Sequence, residues 1–285
     1  MKLYLRITRP INLVLTAVTQ CLFYLSASRL NAGFSYFDFS NIRLPEAITS
    51  TLACIFIAAG GYVVNDILDK ETDAVNKPKK QIAHSQIQSS NLYIFYIILS
   101  VIGLILGFST GLGMGILCLS IVVLLYFYSS DFKGEFLMGN LLVSLLAGMV
   151  VYIASRGVFE VSKAYFAEYA SIAFFITFAR ELVKDLEDVE GDKVQGFNTF
   201  AITSGTKYTK ILSALMLAAG VLLLGLIYYH SQQLLFLISA LCISIPFTIV
   251  ILVKLKKAQT PKEYHSISNH LKQLMFLGLL TCLFC

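Results

Sequence analysis

The stretch TLACIFIAAGGYVVNDILDKETD, residues 51–73, indicates the fold class of this chain. Residues 51–65 carry no charge, and the part that follows contains Asp66, Asp69 and Asp73. An apolar helix of about 20 residues is long enough to cross a bilayer. On a helix, carboxylates at positions i, i+3 and i+7 lie on one face. The stretch therefore predicts a membrane helix that ends in three clustered carboxylates.

The run RELVKDLEDVEGDK, residues 180–193, repeats this pattern with Asp185, Asp188 and Asp192. It too follows a long apolar segment. Acids at the end of a membrane helix are often only solvated, and the neighbouring lysines offer them salt bridges. The same spacing at two helix ends favours a shared function instead, because carboxylates at a membrane edge tend to be functional.

The composition is that of an integral membrane protein. Hydrophobic residues make up 57% of the 285 residues and charged residues 14%, whereas a soluble domain has about 25% charged residues. We predict an all-α polytopic membrane protein with a single domain, residues 1–285. Nine apolar runs predict nine transmembrane helices, near residues 11–28, 46–65, 91–109, 113–130, 138–155, 166–183, 208–229, 231–253 and 267–285.

The positive charges indicate how the chain is oriented in the membrane. The net charge is +5, but 18 of the 22 Lys and Arg residues fall in alternate gaps between the predicted spans, starting with the N-terminus. The positive-inside rule places those gaps, and with them both acidic triplets, in the cytoplasm. The basic residues thus follow topology and do not indicate a nucleic-acid partner. We predict a multi-pass protein of the cytoplasmic membrane with its active site open to the cytoplasm.

The two triplets predict a site for Mg²⁺ and an anionic substrate. Carboxylates are hard oxygen ligands, and Mg²⁺ in proteins usually keeps waters and binds substrate phosphates. Bound metal neutralises the charge that develops on a leaving diphosphate. Basic and hydroxyl side chains that offer phosphate contacts lie on the same side, although lysines there also set topology: Lys77, Tyr128, Lys133, Arg180 and Lys184. Asn65 adds a neutral oxygen beside Asp66, and Glu181 extends the second acidic face.

At these residues the chain resembles the UbiA superfamily of intramembrane prenyltransferases. The first triplet with Asn65 matches the pattern NDxxDxxxD of that family, and the second matches DxxDxxxD. Further agreement comes from the N-terminal TRPxN at residues 8–12, from Tyr128-Ser129 with Lys133, and from Gly139-Asn140. After Asn76 the family pattern NxPxRP is replaced by NKPKKQ, so an Arg-Pro pair has become Lys-Gln.

The resemblance implies a bundle of nine helices around a central cavity, with a prenyl diphosphate bound through Mg²⁺. Ionisation of that diphosphate gives an allylic carbocation, which a nucleophilic acceptor captures. The resemblance assigns the metal to Asp66, Asp69, Asp73, Asp185, Asp188 and Asp192, and the catalytic role to Asp66, Asp69, Asp185 and Asp188. It assigns diphosphate contacts to Asn65, Lys133, Tyr128 and Arg180, and places Asn12 at the acceptor end of the cavity.

The acceptor is expected to be lipophilic. The run RELVKDLEDVEGDKVQGFNTF, residues 180–200, resembles the branch of the family that makes digeranylgeranylglyceryl phosphate. That branch transfers geranylgeranyl to the hydroxyl of geranylgeranylglyceryl phosphate, a membrane lipid precursor. Two alternatives remain open at this point. One is an aromatic acceptor of quinone biosynthesis, and the other is a cation transporter, which would place its acids near the middle of the bilayer.

Overall fold

The computed structural model describes residues 2–31, 37–70, 88–159 and 163–285. Over these ranges the chain is helical and contains no strand, apart from an isolated antiparallel bridge between Ile42 and Val158. The prediction of an all-α protein is confirmed. The helices are α1 Lys2–Ile7, α2 Pro10–Asn31, α3 Leu44–Leu68, α4 Ser89–Thr110, α5 Leu112–Phe127, α6 Met138–Ile153, α7 Lys163–Val194, α8 Phe200–Thr203, α9 Gly205–Ser231, α10 Leu234–Ser239, α11 Ile245–Lys257 and α12 Pro261–Leu280.

Several short segments have 3₁₀ or π-helical geometry, which is more tightly or more loosely wound than the α-helix. Turns with 3₁₀ geometry occur at Phe39–Asn41, Ala154–Gly157 and Thr281–Phe284. A π-helical turn, Tyr128–Phe132, continues α5, and a second one, Ala240–Ser244, joins α10 to α11. Single π-turns within α-helices frequently lie at functional sites, and the first of these two leads directly into Lys133.

Seven of the described helical segments are long and apolar enough to cross a membrane. Each overlaps one of the predicted spans: Pro10–Arg29, Leu44–Leu68, Ser89–Thr110, Leu112–Phe132, Met138–Gly157, Gly205–Ser231 and Leu234–Lys257. The other two predicted spans fall on α7 and α12, which are more polar than these seven. The protein is therefore an integral membrane protein, and the total of nine spans stays a prediction.

The first of two compact units comprises Met1–Gln20 and Arg43–Lys133. Here α3 packs along α4 and α5, and a small core forms around Ile7, Val63 and Leu99. Glycine allows the close approach of α3 and α4, because a Cβ atom on Gly103 would lie 2.6 Å from Cγ1 of Ile57. The unit carries Asp66 and Asp69 of the first acidic triplet at the end of α3.

The second compact unit comprises Cys21–Ile42 and Gly134–Cys285. Its central helix is α7, which packs against α6, α9 and α12. Four buried aromatic side chains pack together near the start of α7: Phe23, Tyr165, Phe166 and Tyr169. The second acidic triplet lies near the other end of α7. The assignment of all 285 residues to a single domain stays a prediction.

Candidate active site

The first acidic cluster is formed where α3 ends. Asp66 lies in the last turn of α3, and Asp69 caps the helix by donating its backbone N–H to the carbonyl oxygen of Asn65 at 2.9 Å. Both carboxylates are buried, with 5% and 7% of the residue exposed. Burying a carboxylate is unfavourable unless it is paired with a cation or binds a metal.

A cation from elsewhere in the first unit reaches each of these carboxylates. Arg9, between α1 and α2, donates from Nη2 to Oδ1 of Asp66 at 3.1 Å and to Oδ1 of Asn65 at 3.3 Å. Lys133, which follows the π-turn of α5, donates from Nζ to Oδ2 of Asp69 at 2.5 Å. Lys133 therefore lies beside the first acidic cluster, and its predicted contact with the diphosphate stays a prediction.

The amide of Asn65 has one end without a partner. Its oxygen accepts the hydrogen bond from Arg9, while its nitrogen Nδ2 is buried and makes no hydrogen bond among the described residues. A buried donor without a partner is unfavourable and rare in folded proteins. Such a donor fits an anionic ligand, since a phosphate oxygen would supply the missing acceptor.

The second acidic cluster begins with Asp185 on α7. Asn140, in the first turn of α6, donates from Nδ2 to Oδ2 of Asp185 at 2.8 Å. Asp185 lies beyond the predicted span 166–183, and burial there raises the pKa of its carboxyl group to about 7, against a usual value of 3.8. The hydrogen bond from Asn140 lowers this pKa, whereas the nearby charges of Glu181 and Asp192 raise it further.

Glu181 holds the two basic residues that flank the second cluster. Arg180 donates from Nη1 to Oε1 of Glu181 at 2.8 Å, and Lys184 donates from Nζ to Oε2 at 2.7 Å. Glu181 therefore orders two cations, whereas the sequence indicated only an extension of the acidic face. The Nε atom of Arg180 is buried and has no hydrogen-bond partner within the described ranges. It is a second donor suited to a phosphate oxygen.

The rest of the second triplet is more open to solvent. Asp188 is exposed and Asp192 is partly buried, and both lie on α7. The sequence placed this triplet in a polar gap beginning at residue 184, but the helix continues to Val194. The reason is local: ELVKDLEDVE has good helix formers, and Glu190 pairs with Lys193 one turn later at 3.6 Å.

The remaining predicted site residues are distributed as follows. Tyr128 begins the π-turn after α5 and is partly buried. Asn12 lies in the first turn of α2, where its backbone N–H bonds to the carbonyl oxygen of Arg9 at 2.9 Å. Asp73 and Lys77 lie outside the described residues, so their predicted roles stay predictions.

The donor chemistry of the clusters fits Mg²⁺. No three His, Cys, Asp or Glu side chains come together around one point in the parts of the chain that the structure describes. Mg²⁺ does not require such a cage, because it usually binds one or two carboxylates and completes its shell with water and substrate phosphate. The buried pair Asp66 and Asp69 provides two hard oxygen donors one turn apart on α3.

The site contacts also include two residues that the sequence did not single out for a site role. Arg9 belongs to the TRPxN run and Asn140 to the Gly-Asn pair, and both runs agree with the family pattern. Each side chain bonds to an Asp that lies at least 45 positions away in sequence. The family motifs could have indicated both Arg9 and Asn140 as site residues. The spacing of residues along one helix, however, does not reveal contacts with residues of another helix.

Comparisons with known proteins show the family to which this chain belongs. The model of the UbiA prenyltransferase family matches residues 21–279. A digeranylgeranylglyceryl phosphate synthase from Methanothermobacter thermautotrophicus is 34% identical over 212 residues, which cover 74% of this chain and 70% of that protein.

Two solved structures are similar over nearly the whole chain. One, from work on digeranylgeranylglyceryl phosphate synthase in membranes, has a TM-score of 0.80 at 25% identity and covers 99% of this chain and 96% of its own. The other is a UbiA homologue from Archaeoglobus fulgidus bound to GPP and Mg²⁺, with a TM-score of 0.67 at 17% identity and coverage of 98% and 99%. This second likeness shows the fold.

Proposed function

The chain belongs to the UbiA prenyltransferase family, and on that premise we propose that it transfers geranylgeranyl from its diphosphate to the hydroxyl of geranylgeranylglyceryl phosphate. The family and the relatives of this chain support a membrane prenyltransferase. A UbiA homologue bound to GPP and Mg²⁺ supports a prenyl diphosphate substrate and Mg²⁺ for the proposed reaction. The observation that supports this particular acceptor is the similarity to digeranylgeranylglyceryl phosphate synthases over most of the chain.

The acidic residues would hold the metal ion. We assign this role to Asp66, Asp69 and Asp73 in the first triplet and to Asp185, Asp188 and Asp192 in the second. Bound there, Mg²⁺ supplies neutralisation of the negative charge that develops on the leaving diphosphate. The burial of Asp66 and Asp69 beside Arg9 and Lys133 supports the assignment, because buried carboxylates occur where they are paired with cations or bind a metal.

The basic and amide donors would hold the diphosphate. Asn65 and Arg180 each present a buried N–H without a partner among the described residues, and Lys133 and Lys184 keep N–H donors beyond those bonded to Asp69 and Glu181. We add Tyr128 and Lys77 to this set and place Asn12 at the acceptor end. These donors would bind the diphosphate oxygens before and after the bond breaks.

The reaction exchanges one carbon–oxygen bond for another. The bond between the allylic carbon and the diphosphate oxygen breaks, and its electron pair leaves with the diphosphate. The acceptor hydroxyl oxygen then bonds to the allylic carbocation and releases its proton. Aromatic side chains, of which the chain has 21 Phe and 15 Tyr, attract a passing cation with their ring faces.

The acceptor assignment is tested with membranes that contain the protein and labelled geranylgeranyl diphosphate. We expect product with geranylgeranylglyceryl phosphate and none with an aromatic acid. Asp66→Asn and Asp185→Asn should each lower the rate by about 100-fold or more, since each removes a carboxylate that would hold the metal ion, which neutralises charge on the leaving diphosphate. Product formed only with the aromatic acid would refute the proposed acceptor.

A cation transporter is the less favoured function. The acids of both triplets lie at or beyond the ends of the apolar segments and not at their centres, whereas transporters place such residues near the bilayer midplane. If Asp66→Ala and Asp185→Ala left diphosphate release intact and abolished ion flux, the enzyme assignment would be wrong.

A further inference from the structure

Arg9 is a residue of the first unit to which the proposed reaction assigns no role. We propose that Arg9 is a positioning residue: it fixes the amide of Asn65 so that Nδ2 donates to the diphosphate. This inference rests on the proposed function for the identity of the anion. Its geometric basis is the contact of Arg9 with Asn65 and Asp66.

The backbone of Arg9 is held in an unusual conformation. Its φ angle is +52°, in the left-handed region that residues with a Cβ atom rarely adopt. Pro10 follows and begins α2. Such strain persists only when the surroundings hold the residue in place, and it clusters at functional sites. The conformation places the side chain of Arg9 against the end of α3.

Three contacts hold the guanidinium group there. Its Nη2 atom bonds to the side-chain oxygens of Asn65 and Asp66, at 3.3 and 3.1 Å. Its Cζ atom also lies 4.8 Å from the centre of the Tyr62 ring, within the range of a cation–π interaction. A planar guanidinium can make all three contacts at once, whereas the ammonium of lysine is a point charge on a flexible stem.

These contacts determine which way the Asn65 amide points. The oxygen must face Arg9, because the opposite orientation would set the two N–H donors of the amide against a cation with donors only. The nitrogen Nδ2 therefore faces away from Arg9, where it is buried and has no partner in the described part of the chain. A donor presented in this way matches an anionic oxygen and cannot bind a metal cation.

A simpler role for Arg9 is to neutralise Asp66, and substitution distinguishes the two. Arg9→Lys keeps the charge but loses the planar guanidinium that contacts Asn65, Asp66 and Tyr62 together, and Arg9→Gln loses both the charge and the guanidinium. If Arg9 positions Asn65, both variants should bind inorganic diphosphate with Mg²⁺ about tenfold more weakly than wild type, because one charge-assisted hydrogen bond is lost. Isothermal titration calorimetry on the detergent-solubilised protein measures this. Wild-type affinity in Arg9→Lys would overturn the proposal.

Arg6→Gln provides the matched control. Arg6 lies three residues earlier and is exposed, so its replacement removes the same charge without touching Asn65. We expect its affinity for diphosphate and its unfolding temperature to equal those of wild type. In transfer assays Arg9→Lys should raise KM for the prenyl diphosphate more than it lowers kcat. A fall in kcat alone would contradict a positioning role in binding.

A double-mutant cycle with Asn65 tests the coupling. Asn65→Asp still accepts the hydrogen bond of Arg9 but has no N–H to donate, so we expect diphosphate affinity to fall by about tenfold or more. Adding Arg9→Gln should then weaken binding by less than twofold further. Wild-type affinity in Asn65→Asp, or multiplied effects in the double variant, would overturn the proposal. Binding of diphosphate without prenyl transfer in the wild type would refute only the proposed function.

Discussion

At the residue scale, three carboxylates of the two acidic clusters each have a polar partner. Arg9 donates a hydrogen bond to Asp66, Lys133 to Asp69 and Asn140 to Asp185. The three are not equivalent, because Asn140 brings a hydrogen bond without a charge. A neutral partner compensates less for lost hydration than a cation does. Burial raises the pKa of Asp185, which has this neutral partner, to about 7.

The raised pKa of Asp185 predicts a pH-dependent stability of the metal-free protein. In the unfolded chain this carboxyl ionises near pH 4. In the folded protein the loss of hydration raises the pKa of this carboxyl group to about 7, so that it ionises around that pH. The stability that the raised pKa of Asp185 contributes is therefore fully present below about pH 4 and is lost as the pH rises through about 7.

Asp185→Asn removes this loss. In EDTA we expect the variant to unfold a few degrees above wild type at pH 8 and by a smaller margin at pH 5. Circular dichroism melting curves at both pH values measure the difference. Asp188→Asn, at an exposed position of the same helix, serves as the control and should show no such pH dependence. Equal margins for Asp185→Asn at both pH values would refute the prediction.

At the scale of the elements, α6 and α7 must lie close together for Asn140 to reach Asp185. Gly148 permits this approach, because a Cβ atom there would lie 2.8 Å from the backbone carbonyl oxygen of Ala170. A backbone atom cannot move aside as a flexible side chain can. The contact between the two helices therefore depends on a residue far from the chemistry, two turns along α6 from Asn140.

Gly148→Ala should force the two helices apart. We expect a loss of about 1–3 kcal/mol in the free energy of unfolding, the usual cost of overpacking, with a reduced rate of prenyl transfer. Gly225→Ala on α9 is the matched control, since nothing lies within 4 Å of the added methyl group and alanine is the better helix former. Thermal denaturation and transfer assays on both variants test this, and equal losses in the two would contradict it.

At the scale of the whole molecule, the chain forms two compact units, and each carries one acidic triplet. The similarity to solved UbiA structures over 98% of the chain places this arrangement within a known membrane fold. The orientation in the membrane rests on the distribution of basic residues alone. Because short basic loops stay in the cytoplasm, the gap that contains Lys133 should be cytoplasmic and the gap after Arg156 external.

Fusions test this orientation. A green fluorescent protein joined after Lys133 should fluoresce, and alkaline phosphatase joined there should be inactive, since each reporter works on one side only. The same pair joined after Arg156 should give the opposite result. Fluorescence at both points, or at Arg156 alone, would refute the predicted topology.

The sequence by itself determined the fold class. It also predicted that the two acidic triplets bind the prenyl diphosphate, which is the prenyl donor of the reaction. A continuous apolar run of about 20 residues is typical of a membrane-spanning helix, which satisfies its backbone polar groups within its own segment. Carboxylates at i, i+3 and i+7 share a helix face for the same geometric reason wherever that helix lies. The triplets and the family resemblance could therefore be recognised from the sequence alone.

Only the tertiary structure decided which side chains complete the clusters. Arg9 is 57 residues from Asp66, Lys133 is 64 from Asp69, and Asn140 is 45 from Asp185. No periodicity of one helix encodes such pairs, because they arise from packing between helices. Burial also raises the pKa of Asp185, and the sequence of a single segment does not specify burial. The pairs of Glu181 with Arg180 and Lys184 are different, because all three residues lie on α7 within four positions of one another.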